Sequence, residues 1–73
     1  MDKYPFKNLK VLKLGHNRIT ETIPILNFRN LKQLFLEHNN IYDDGAKILL
    51  GLRCTIHIRY NNVAGPSIGI MGF

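Results

Sequence analysis

The sequence predicts an α/β chain of three short parallel strands, one per repeat, with one short helix among the segments that return the chain. Three observations carry that expectation. A block of residues comes back at an offset of 22 positions, and then once more in weaker form. Within each copy apolar and variable residues alternate, the period of a half-buried strand. An asparagine stands at the same place after each alternation, where the chain has to turn.

Phe6-Lys7-Asn8-Leu9 returns as Phe28-Arg29-Asn30-Leu31, and Leu12, Leu14, Asn17 and Ile19 align with Leu34, Leu36, Asn39 and Ile41. A second step of 22 reaches Arg53, Ile56, Ile58, Asn61 and Val63, where Arg53 alone breaks the apolar pattern at a core position. His16 and His38 fall in register, with Tyr60 as the third member. The strands are expected around Leu12 and Leu14, Leu34 and Leu36, and Ile56 and Ile58. Equal spacing leaves room for a return segment each time, so the strands stack in parallel. Asn17, Asn39 and Asn61 are read as a structural ladder. Each side chain can bond backbone groups of its own turn and of the next repeat, groups the turn would otherwise bury unpaired.

The returns differ. Residues 20–27 contain Pro24, which disfavours a long helix and favours an extended or 3₁₀ path. In residues 42–52, Asp43 and Asp44 precede good helix formers and Gly51 lies near the end, the pattern of a short helix with a negative N-terminus. Residues 64–73 leave the pattern; they read as a tail or an incomplete repeat whose Ile68, Ile70, Met71 and Phe73 fold back over the last strand. At the other end Tyr4, Pro5 and Phe6 are expected to cover the first repeat.

Written out, the pattern is LxxLxLxxNxI, twice in full and once degenerate, over residues 6–63. It resembles the leucine-rich repeat family. Residues 41–49 are similar to the ribonuclease-inhibitor-like class of those repeats. The resemblance implies one domain over residues 1–73, with repeats at about 6–27, 28–49 and 50–71. It also implies a leucine-rich-repeat solenoid, a short right-handed α/β superhelix. Its three strands would form the concave face, and the helix and extended or 3₁₀ segments the convex face. It implies protein recognition rather than catalysis.

Composition narrows the classes further. The chain has 73 residues, 45 % hydrophobic and 21 % charged, with net charge +5. A chain this short buries only about 60 % of its unfolded surface, which argues against a large enclosed active site. With Cys54 as the one cysteine, no internal disulfide forms. No run of about 18 apolar residues occurs, so no membrane span is expected. The N-terminus lacks an apolar leader and the sequence has no Asn-x-Ser/Thr sequon, which sets the expectation of an intracellular, cytoplasmic protein.

On the concave face of such a fold the variable positions form columns: Val11, Gln33 and Thr55; Lys13, Phe35 and His57; Gly15, Glu37 and Arg59; His16, His38 and Tyr60. Neighbours in a column sit about 4.8 Å apart. The binding surface is therefore assigned to Lys13, Phe35, His57, Glu37, Arg59, His16, His38 and Tyr60, because exposed aromatics beside Arg match the residues that anchor interfaces. The structural alternative is that Phe35 stacks on Lys13 and His57, and Glu37 pairs with Arg59, for sheet stability alone. His16, His38 and His57 raise the question of zinc, but no acid stands ready to orient them, and no metal or other cofactor is assigned. No Ser, His and Asp set comes together, no glycine-rich phosphate loop is present, and Cys54 precedes an apolar strand as a partly buried, inert thiol; the chain is not expected to be an enzyme.

Two other classes stay open. Lys7 aligns with Arg29 and Lys10 with Lys32, a basic stripe that phosphates would follow, though only Phe35 and Tyr60 are available to stack bases. Alternatively the chain is a small structural subunit, or a fragment of a longer leucine-rich-repeat protein. It would then be ordered by packing of its C-terminal edge and apolar tail on neighbouring repeats or on a second copy.

Overall fold

A computed structural model describes residues 8–63. Three strands, β1 (Val11–Lys13), β2 (Gln33–Phe35) and β3 (Thr55–His57), form one parallel sheet in the order β1-β2-β3. The register is the repeat itself: Leu12 opposes Leu34, and Leu34 opposes Ile56. The pairing runs past the strand ends. Lys32 N–H donates to Lys10 O at 2.7 Å, Leu14 N–H to Phe35 O at 2.7 Å and His16 N–H to Glu37 O at 2.8 Å, and Leu36 N–H continues to His57 O at 2.8 Å.

The alternation expected of half-buried strands is present. Leu34 and Ile56 point into the core, while Gln33 and Thr55 are exposed on the other face. Leu34, Leu36, Ile41, Ala46 and Leu49 are fully buried, joined by Ile25, Leu31, Leu52, Ile56 and Ile58. Leu9, Leu12, Leu14 and Ile19 of the first repeat are only half-buried against them.

The first return holds a 3₁₀ helix, Ile23–Asn27, with Pro24 in its opening turn, where a missing N–H costs nothing. The second holds α1 (Asp43–Leu49). Asp43 and Asp44 lie in its first turn and Lys47 in its last, each sign where the helix dipole favours it. Gly45, Ala46 and Leu49 form its buried face. Gly45 lets the two returns meet. A Cβ there would lie 3.3 Å from Ile41 Cγ2 and 3.4 Å from Thr22 Oγ1, and the buried Thr22 hydroxyl donates to Gly45 O at 2.7 Å.

One expectation is corrected. Arg53 does not occupy a core position. After α1 the chain continues as a 3₁₀ helix, Leu50–Leu52, and Arg53 ends it in the left-handed conformation, φ 53° and ψ 45°, exposed to solvent. Leu52 enters the core instead. The α-helical return of this repeat delivers its apolar side chain one residue earlier than the fixed offset of 22 assumes. The covering roles expected of Tyr4, Pro5 and Phe6 and of Ile68, Ile70, Met71 and Phe73 lie outside the described residues, as does the position of Lys7. Among the described residues no helix is long and apolar enough to cross a membrane.

Candidate functional site

The asparagine ladder fixes the turns that carry the candidate residues. Asn39 Nδ2 donates to Leu36 O at 3.0 Å and Glu37 O at 3.3 Å in its own turn, and to Leu14 O of the preceding repeat at 2.9 Å. Its Oδ1 accepts Ile19 N–H at 2.9 Å. Asn61 repeats the arrangement, with Leu36 O at 2.9 Å and Ile41 N–H at 3.0 Å. Asn17 bonds Leu14 O and Gly15 O within its own turn.

The residue before each asparagine is held at positive φ: 60° at His16, 58° at His38 and 60° at Tyr60. Identical backbones at identical intervals project three rings in parallel. His16 stacks on His38 with centroids 4.2 Å apart and planes 18° apart, and His38 stacks on Tyr60 at 4.3 Å and 13°. This ring column was legible as a column, but not as a left-handed turn; the signal was the asparagine that follows each ring.

A second column runs along the exposed face of the sheet. Phe35 and His57 are stacked at 4.3 Å and 1°, and Lys13 Nζ lies 5.6 Å from the Phe35 centroid on a cation–π approach. Between the two columns lies Gly15, with Glu37 folded towards it: a Cβ on Gly15 would come within 3.6 Å of Glu37 Oε1. Lys13, Gly15, His16, Phe35, Glu37, His38, Arg59 and Tyr60 line one open depression. Seven of the eight assigned binding residues are thus brought together. His57 is not among the lining residues; it backs Phe35.

Stacked imidazoles direct their nitrogen lone pairs side by side rather than to one point, and among the described residues no group of three or more His, Cys, Asp or Glu is placed to hold a metal ion. Burial pushes the Cys54 thiol above its ordinary pKa, so its thiolate is disfavoured.

A family model described as leucine-rich repeats in two copies matches residues 7–44, a stretch that runs through β1, β2 and the first residues of α1. Neither a curated protein nor a solved structure matches. Repeats of this kind generally mediate protein–protein interaction. With the repeat matched over more than half its length, and the 22-residue register realised as strand pairing, the chain belongs to the leucine-rich repeat family.

Proposed function

We propose that this chain is a non-catalytic recognition module, a short right-handed solenoid that docks a protein or peptide on the concave face of its sheet. The observation that carries the reading is the single depression shared by Lys13, Phe35, Glu37, Arg59, His16, His38 and Tyr60. Aromatic and arginine side chains are the types on which interfaces concentrate their energy. The two ring columns restrain those side chains before a partner arrives, which lowers the entropy lost on binding. Glu37 between Lys13 and Arg59 adds a charge pattern that a partner must match.

Three strands present roughly a few hundred Å², below the about 800 Å² per partner of a standard stable interface, so the affinity belongs in the weak, transient range. The reading places the module inside the cell, in keeping with its lone, partly buried thiol.

Peptides selected from a display library against the full chain test the proposal. Phe35→Ala and Arg59→Glu are each expected to weaken the selected peptides about tenfold. Lys10→Glu combined with Lys32→Glu is expected to leave them unchanged, with little dependence on salt. Affinity that ignores Phe35 and Arg59, or that collapses between low and moderate salt, overturns the reading.

A further inference from the structure

We propose a second binding site, beside the starts of the strands, that takes an acidic peptide segment. Three cations share one groove there: Arg29 from the turn before β2, Lys32 next to β2, and Arg53 between the 3₁₀ helix Leu50–Leu52 and β3. Its apolar lining is aliphatic, from Leu26, Leu31 and Leu52, and among the described residues the lining holds no carboxylate. Three like charges around one groove repel each other.

Arg53 is the strongest pointer. It stands at φ 53°, the position after a helix where glycine or asparagine is the favoured residue and a long side chain is disfavoured. The repeat offset aligns it with Leu9 and Leu31. Leu52 meets the apolar requirement in its place, and Arg53 is left exposed in the groove. The preference of the left-handed backbone is thus overridden in favour of an arginine. Departures of this kind concentrate where a residue is needed for function.

The chemistry favours clustered carboxylates. Two guanidinium forks can each hold a carboxylate through paired N–H donors, and Lys32 adds a point charge. A nucleic acid would want rings on which bases stack, and among the described residues the lining offers none.

The full chain is titrated with hexaglutamate and followed by backbone amide chemical shifts at low and physiological salt. Shifts are expected to concentrate at residues 29–32 and 51–53 and to weaken as salt rises. Arg53→Gly suits the left-handed backbone, so its thermal midpoint is expected to hold or rise while hexaglutamate binds about tenfold more weakly. Lys32→Glu is expected to give a similar loss, and Arg53→Lys to retain part of the affinity. Phe35→Ala is expected to change nothing, which separates failure of this site from failure of the sheet-face reading. Shifts centred on the sheet face, or undiminished affinity in Arg53→Gly, overturn the proposal. Tighter binding of a thymidine hexanucleotide than of hexaglutamate overturns it in favour of nucleic acid.

Discussion

Asn17 and Asn39 hold equivalent places in successive repeats, yet they do different work. Asn39 is buried, bonds two carbonyls of its own turn and ties itself twice to the preceding repeat, through Leu14 O and Ile19 N–H. Asn17 is exposed, and its amide bonds Leu14 O and Gly15 O of its own turn. The leucines show the same contrast: Leu34 and Leu36 are fully buried, whereas Leu12 and Leu14 are half-buried. The same letters at the same spacing therefore carry different energies. In a stack of repeats most of the stabilisation lies between neighbours, and the middle repeat has a described neighbour on each side.

Core truncations give that comparison its hardest test. Leu34→Ala is expected to cost about 3–4 kcal/mol, a large part of the whole stability of so short a chain, while Leu12→Ala costs about 1–2 kcal/mol because its surroundings are already open. Urea unfolding of both variants, followed by circular dichroism, checks this; equal losses would break the contrast. Asn39→Ala comes next, at about 2 kcal/mol, since it takes the acceptor from Ile19 N–H and removes the amide donor to Leu14 O and Leu36 O. Asn17→Ala is expected under about 1 kcal/mol in the same assay.

Gly45→Ala tests whether the two returns are held as closely as the strands. The added methyl must push Ile41 and Thr22 aside by a few tenths of an ångström, at about 1 kcal/mol net of the helix propensity that alanine gains. A variant more stable than the parent would show that the returns give way freely.

The smallest effect concerns Cys54. Burial raises its folded pKa above the unfolded one, so the stability from burying the thiol is complete below the unfolded pKa and is lost as pH rises through the folded pKa. Native Cys54 should react with iodoacetamide more slowly than the urea-unfolded chain at pH 8; equal rates would mean the thiol is not shielded.

Much of this was legible in the residues. Strand positions, parallel register and the ladder of Asn17, Asn39 and Asn61 followed from a period of 22, because a rigid repeat forces equivalent residues into contact. Pro24 pointed to an extended or 3₁₀ return, of which the 3₁₀ form is present, and Asp43 with Asp44 to the start of α1. Arg53 departs from the fixed offset because Leu52, at the end of the 3₁₀ helix that follows α1, fills the core instead. At the sheet face, only side-chain geometry shows which rings stack. Lys13, Phe35 and His57 do stack, as the structural alternative had it, and the same stacking leaves Phe35 lining the depression.

What the sequence by itself determined is the periodic part: which residues share a column, which strand residues face the core, and which family the chain joins. Those properties depend on spacing, and spacing is written in the chain. The tertiary structure alone decided how each copy is used. It determined that Asn39 is buried and Asn17 is not, that Gly45 lies against Thr22, that His16, His38 and Tyr60 turn left-handed and stack, and that Arg53 joins Arg29 and Lys32 in one groove. Each of these depends on what stands in the neighbouring repeat, and burial, stacking and charge clustering come into being only once the repeats are packed together.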